Sequence, residues 1–230
     1  MTYTVELVCI SLPGKKGGVN RNNLYADGKR LESGNRGLRR AVTERKTARD
    51  VLVCSLLEGS GHEKEAGAAA DLAGRELERG LQALRAYLLT PRERLRRSHE
   101  TVNRALRENG GRAGIVTALL TPEEIYICNA GASRAYRLRG PELLQLSRDN
   151  DGTLGTTASE LAETLYMAKG ELKAGDIYIL CSRNVPEKLN LLRFFELRQE
   201  DTDMKTAAEQ LMAALPRGEC AAMLLLRIAE

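Results

Sequence analysis

The chain has 230 residues, a formal net charge of +4, 43% hydrophobic residues and 29% charged residues, which is ordinary for a globular protein. The net charge is only mildly positive, and aromatic residues make up only 4%. Both values argue against a nucleic-acid-binding protein, in which basic side chains and aromatic stacking partners occur together. No apolar run approaches the roughly 20 residues of a membrane span, and the start of the chain does not resemble a signal peptide.

The first part of the chain predicts two strands separated by a polar segment. Residues 2–12 alternate as in a strand, which ends at Pro13-Gly14. The basic, glycine-punctuated segment 29–50 predicts an exposed loop or hairpin. The continuous apolar run 51–57 is typical of a strand buried on both faces.

Two consecutive helices are predicted next. An alanine-rich stretch from Lys64 to Leu89 forms the first, with a stripe of leucines at three- to five-residue spacing that predicts core packing. Those leucines are Leu72, Leu77, Leu81, Leu84 and Leu88. The second helix begins at Pro91 with Thr90 as its cap and ends near Glu108, before a pair of glycines. Two helices of this length favour an antiparallel pair that covers a sheet.

The remaining half is rich in short strands. A meander is predicted at residues 115–120, 124–129, 133–138 and 143–146. A buried strand at 176–181, helical patterns at 186–197 and 204–215, and a last strand at 221–228 follow. No repeat or linker interrupts this order. We therefore expect a single domain over residues 1–230. From the composition described above, we also expect it to be cytoplasmic, with no membrane or nucleic-acid partner.

Cysteine and histidine are few and scattered. The five cysteines show no paired spacing, and four of them lie inside strand-like apolar runs, so we expect free, buried thiols. With only two histidines, zinc chemistry has little to build on.

The stretch Ile125–Arg139 predicts two short strands around an Asn-Ala-Gly turn. It resembles a short sequence motif, here called a phrase, of the metal-dependent serine/threonine phosphatases of type 2C, the PPM family. Four further phrases resemble the family in the same order, and together the five cover nearly the whole chain. The five lie at residues 18–25, 57–62, 129–136, 172–184 and 217–228. The resemblance implies a four-layer αββα sandwich of the α/β (α+β) class, with two mainly antiparallel sheets flanked by helices.

The resemblance also implies a site for two divalent metals, magnesium or manganese, held by carboxylates that activate a water. Most of those carboxylates fall here on other residues. The corresponding positions are Leu24 and Tyr25 in the first phrase, Leu57 or Glu58 with Gly59 in the second, Ala132 in the third, Arg183 and Asn184 in the fourth, and Glu219 and Cys220 in the last.

Arg183 is the substitution that most opposes a metal. A guanidinium stays charged, and at roughly 4 Å with an effective dielectric near 20 its repulsion of a dication is about 8 kcal/mol. One interpretation is that Arg183 forms salt bridges with Glu58 and Glu219 in place of the metals. A second is an anion-binding cleft formed by Arg21 and Arg183. A third is a rearranged metal site drawn from Asp27, Glu58, Asp149, Asp151 and Glu219.

These substitutions predict a pseudophosphatase that needs no cofactor. Its expected role is to bind a protein, a phosphoprotein or a kinase, without hydrolysing it. The alternative is an active manganese- or magnesium-dependent phosphoserine/phosphothreonine phosphatase with an unusual ligand set, in which Glu58, Asp149 and Glu219 hold the metal.

Overall fold

The computed structural model describes residues 3–15, 18–32, 34–48, 51–193, 196 and 203–229. Within them, twelve strands form two six-stranded sheets in which neighbouring strands are antiparallel. The strands are β1 Tyr3–Pro13, β2 Asn22–Ala26, β3 Lys29–Arg30, β4 Leu38–Ala48, β5 Leu52–Gly59, β6 Ala113–Leu120, β7 Glu124–Ala130, β8 Arg134–Arg139, β9 Glu142–Gln145, β10 Tyr166–Glu171, β11 Ile177–Cys181 and β12 Cys220–Ile228. The first sheet has the order β4-β1-β12-β11-β8-β9, and the second has the order β10-β7-β6-β5-β2-β3.

Helices flank both sheets. They are α1 Glu63–Ala83, α2 Pro91–Glu108, α3 Ala158–Thr164, α4 Asn184–Lys188 and α5 Met204–Ala213. α1 and α2 lie against the second sheet, and α4 and α5 lie against the first. The four-layer αββα sandwich expected from the sequence is therefore confirmed. None of the described helices combines the length and the hydropathy that a membrane span requires.

The layers enclose three apolar clusters, and β12 shows how one strand serves two of them. Met223 and Leu225 pack between the first sheet and its helices. Leu224 and Leu226 pack between the two sheets. This division follows from the two-residue period of a strand. The third cluster, which includes Leu77 and Leu106, lies between the second sheet and the α1–α2 pair.

Local sequence signals set the start of α2 as expected. The Thr90 hydroxyl accepts from the Glu93 backbone N–H at 3.2 Å, and the Glu93 carboxylate accepts from the Thr90 N–H at 3.0 Å. Pro91 occupies the first turn, where its missing N–H costs nothing. The first helix is shorter than predicted, because it ends at Ala83. Leu88 lies beyond this end and is fully exposed, so its assignment to the core was wrong.

Several other predictions differ from the structure. Half of the segment 29–50, for which a loop or hairpin was expected, is the edge strand β4, and its exposed charged side chains suit a sheet edge. Helix α3 and strand β10 had no counterpart in the prediction. β7 and β8 do not pair with each other, because they belong to different sheets. The predicted positions 2, 33, 49, 50, 194, 195 and 197 lie outside the described residues.

The cysteines are unpaired thiols. Four are buried and Cys9 is half-buried. Burial raises the pKa of Cys9 to about 12, so this thiol is a poor nucleophile at neutral pH.

Candidate functional site

Three of the sequence phrases meet at the carboxylate of Glu58. Glu58 lies near the end of β5, in the second sheet, and its Oε2 accepts from the Ser133 hydroxyl at 2.9 Å. The same oxygen accepts from the backbone N–H of Arg183 at 3.3 Å. Ser133 lies in the turn between β7 and β8, and Arg183 follows β11 of the first sheet. Glu58 therefore joins the ends of the two sheets.

The first and last phrases join the same region through amide side chains. Asn184 donates from Nδ2 to Oε2 of Glu219 at 2.9 Å and to the carbonyl of Cys220 at 3.2 Å. Asn22 is paired with Glu58 in the sheet register and donates to Sγ of Cys220 at 3.2 Å. All five phrases are thus brought together at one end of the sandwich.

A cavity of about 290 Å³ opens beside Glu58, and we call it the cleft. Its walls include the backbone of five glycines, namely Gly59, Gly61, Gly114, Gly131 and Gly152. Its charged lining residues are Arg21, Glu58, Asp151 and Arg183. Ala132 also lines the cleft, so no carboxylate is present at that position. The lining thus holds two positive and two negative side chains, and the two arginines with the exposed backbone are the groups that would bind a small anion.

Amide side chains fix the loop on one side of the cleft. Asn150 accepts from the Gly131 N–H at 2.9 Å and donates to the Thr164 carbonyl at 3.1 Å. Asn129 donates to the Arg148 carbonyl at 2.9 Å and accepts from the Arg148 N–H at 3.1 Å. The loop therefore has few alternative conformations. No local pattern signals these bonds, since each partner lies 14 to 19 residues away.

Arg183 does not form the predicted salt bridges. Its Nε lies 2.8 Å from Oε1 of Glu187, one turn along α4, and its side chain is 59% exposed. Glu58 is bound instead by the Ser133 hydroxyl and a backbone N–H, and Glu219 by Asn184. Neutral donors therefore replace the predicted charge network. Arg21 and Arg183 do line one cleft, as the anion-binding interpretation requires.

The positions assigned to the first phrase lie away from the cleft. Leu24 and Tyr25 pair with Leu56 and Ser55 and are buried, Leu24 between the sheets and Tyr25 beneath the helices. Asn22, not these two, stands opposite Glu58. The assignment of Leu24 and Tyr25 to the cleft was therefore wrong, and the reason is a register that only β2–β5 pairing reveals.

The residues present do not fit a two-metal site. Both oxygens of Asp149 accept from the Arg134 guanidinium at 2.9 Å, and this bond lowers the pKa of Asp149. Asp27 pairs with Lys46 at 3.0 Å. Across the described part of the chain, no group of three or more His, Cys, Asp or Glu side chains could hold a metal ion. Two divalent cations held by carboxylates need several of these side chains close together, and the described residues offer no such group.

Comparison with known proteins gives a likeness in structure alone. No family model matches the chain, and no curated protein matches it. A bacterial serine phosphatase bearing an arginine-to-alanine mutation superposes with a TM-score of 0.74 at 17% identity, over 97% of this chain and 98% of that one. The catalytic domain of the serine/threonine phosphatase PstP, solved with two manganese ions, gives 0.70 at 17% identity over 100% of both chains. PppA of Pseudomonas aeruginosa gives 0.66 at 19% identity, over 99% of this chain and 100% of that one. The chain therefore has the fold of the bacterial PPM-type serine/threonine phosphatases.

Proposed function

We propose that this chain is a pseudophosphatase that binds a phosphorylated protein and does not hydrolyse it. The observation that carries the proposal is the hydrogen bonding of the Glu58 carboxylate. Its Oε2 already accepts two hydrogen bonds, from the Ser133 hydroxyl and the Arg183 backbone N–H, at a position that the resemblance assigns to a metal ligand. A metal bound at this oxygen would compete with both donors, in a cleft that two permanently charged guanidinium groups also line.

The cleft retains features that suit a phosphate group. Arg21 and Arg183 line it together, and guanidinium groups bind phosphate through paired, charge-assisted hydrogen bonds. No ion pair among the described residues includes Arg21, and its side chain lies near the Cys220 thiol. PppA is described as a key regulatory component of T6SS. A regulatory role, exercised through binding, is what we propose for this chain.

The first experiment measures hydrolysis. A generic phosphomonoester and a phosphothreonine peptide are incubated with the protein while manganese is raised from zero to millimolar. We expect no turnover above the protein-free rate at any manganese concentration. Turnover that rises with manganese, disappears with a chelator and is lost in Glu58→Gln would contradict the proposal and favour an active phosphatase with an unusual ligand set.

The second experiment measures binding. Isothermal titration compares the phosphothreonine peptide with its unphosphorylated form. We expect preference for the phosphorylated peptide, reduced about tenfold by Arg21→Ala or Arg183→Ala, because each loses a charge-assisted bond of roughly 1.5 kcal/mol. Arg85→Ala, an exposed arginine outside the cleft, is the matched control and should leave binding unchanged. Equal affinity for the two peptides would show that the cleft does not read phosphate.

A further inference from the structure

A second cavity, of about 440 Å³, lies between α2, α3 and β10 and shares no lining residue with the cleft. One wall is a row of charged residues on α2: Arg92, Arg96, Glu100, Arg104 and Arg107. The opposite side presents Leu161, Leu165 and Met167. We call this cavity the arginine groove.

The row of charged residues follows from the helical period. Its members are three or four residues apart, which places them on one face of α2 over about 22 Å at roughly 1.5 Å per residue. Arg96 lies 3.8 Å from Glu100, and both side chains are about half exposed. Arg92, Arg104 and Arg107 make no ion pair with any described residue. The groove lining therefore carries four arginines and one glutamate, an excess of positive charge that no ion pair among the described residues neutralises.

The floor of the arginine groove is apolar. Leu161 is 6% exposed and belongs to the core beneath the helices, while Leu165 and Met167 are partly buried against that core. The lining contains no aromatic side chain. Single-stranded nucleic acids stack their bases on aromatic side chains, so an apolar, non-aromatic floor beside arginines fits a peptide better. Leucine-like side chains of a peptide would cover this floor.

Both walls are held in place without a ligand. Asn103 of α2 donates to the Thr156 carbonyl at 2.9 Å and accepts from the N–H groups of Gly155 and Thr156 at 2.8 and 3.0 Å. Thr157 then caps α3 by accepting from the Glu160 N–H. A groove that is already formed loses little conformational entropy on binding.

We propose that the arginine groove binds an acidic, amphipathic segment of a partner protein. Aspartate or glutamate side chains of that segment contact Arg92, Arg104 and Arg107, and its apolar side chains lie on Leu165 and Met167. This surface is separate from the cleft, so the proposal does not depend on whether the cleft hydrolyses, binds or ignores phosphate.

The test uses fluorescence anisotropy with a fluorescein-labelled peptide of 16 residues, in which leucines recur at helical spacing among glutamates. The comparison peptide has lysine in place of every glutamate. We expect the glutamate peptide alone to bind, with an affinity that falls steeply as salt rises. Arg104→Glu with Arg107→Glu should weaken binding at least tenfold. Met167→Ser, which alters only the floor, should weaken it about threefold.

The matched control is Arg85→Glu with Arg97→Glu, which makes the same charge change at exposed positions outside the groove. It should stay within twofold of the unmodified protein. Circular dichroism and thermal unfolding check that each variant folds. If the charge-reversal variant of the groove does not fold, Arg104→Ala with Arg107→Ala is measured in its place. Equal losses in the groove and control variants, or equal binding of the lysine peptide, would overturn the proposal. The proposal would also be overturned if a labelled 16-nucleotide DNA bound more tightly than the peptide and this binding were lost in the groove variant.

Discussion

His99 is a buried titratable residue whose charge state is set by its neighbours. Its Nδ1 lies 2.7 Å from the Leu95 carbonyl, which only accepts, so the ring proton is on Nδ1. Its Nε2 then accepts from the Thr117 hydroxyl at 3.0 Å, and Thr117 in turn accepts from Ser55 at 2.7 Å. The side chain is fully buried, and burial lowers its pKa from 6.5 to about 4 despite the bond to Leu95. The neutral imidazole is therefore part of the folded structure.

This histidine should make stability depend on pH. The unfolded chain takes up a proton near pH 6.5 and the folded chain only near pH 4, so the stabilisation is complete above 6.5 and is lost as pH falls toward 4. We expect the free energy of unfolding in urea to be about 2 kcal/mol lower at pH 5 than at pH 7 through this residue. His99→Gln should remove that difference, whereas His62→Gln, at the exposed histidine, should keep it. A wild-type slope that persists in His99→Gln would place its origin elsewhere.

At the scale of elements, one buried carboxylate binds side chains from two strands of the first sheet, and one of these side chains reaches the second sheet. Asp176 is 1% exposed and accepts from the Arg139 guanidinium at 2.6 and 2.7 Å and from the Tyr178 hydroxyl at 3.0 Å. The Tyr178 hydroxyl also lies 3.3 Å from the carbonyl of Glu171, at the end of β10. Burial alone would raise the pKa of Asp176, but the bonds from Arg139 and Tyr178 outweigh it and lower that pKa.

Asp176→Asn should therefore destabilise the fold although it preserves shape. An amide can accept at only one of its two positions, so one of the Arg139 bonds is lost inside a buried site. We expect the free energy of unfolding to fall by about 2 kcal/mol. Glu142→Gln, which alters the exposed partner of Arg137, should change it by less than about 0.5 kcal/mol. Similar effects of the two substitutions would show that the Asp176 pair is no stronger than a surface pair.

The close packing of α1 against the end of β5 requires that residue 59 have no side chain. A Cβ built at Gly59 would lie 1.7 Å from the backbone carbonyl oxygen of Ala66 in α1, a contact that no side-chain rotation relieves. Gly59→Ala should lower the free energy of unfolding by about 3 kcal/mol, because α1 must move away from the sheet. Gly170→Ala in β10 is the control, since its nearest neighbour is Ile125 Cγ2 at 3.8 Å. Chemical denaturation of the two variants measures the difference, and equal midpoints would contradict this account.

At this scale, a helix or strand was predictable when the interaction that sets its boundary lies between residues close together in the sequence. The start of α2 was predictable because Thr90, Pro91 and Glu93 settle it within four residues. β10 was not, because it is an edge strand whose side chains are mostly half-exposed, so the sequence shows no clear alternation. α3 was missed although Thr157 and Glu160 form the same kind of capping box within four residues. Leu88 was misplaced because its leucine spacing continues a helix that the chain ends five residues earlier.

The same limit applies to the site when the whole molecule is considered. The five phrases identified the fold, and the structure brings them to one end of the sandwich. The partners of Glu58 lie 75 and 125 residues away in sequence, so neither bond could be derived from spacing. The placement of Leu24 and Tyr25 failed for the same reason, since a shift of register between β2 and β5 moves each residue to another environment.

The two sheets should unfold as one unit, because β12 packs into both sides of the first sheet. β12 pairs with β1 and β11, and its Leu224 is fully buried between the sheets. Leu224→Ala leaves a void that both sheets border, and we expect a loss of about 3 kcal/mol. Leu88→Ala, the same change at a fully exposed leucine, should cost less than about 0.5 kcal/mol. Amide hydrogen exchange provides the measurement: in Leu224→Ala, protection should fall by the same free energy in β5 of the second sheet as in β12 of the first. Loss confined to the first sheet would show that the sheets open separately, and the cleft, built from both, would then open without global unfolding.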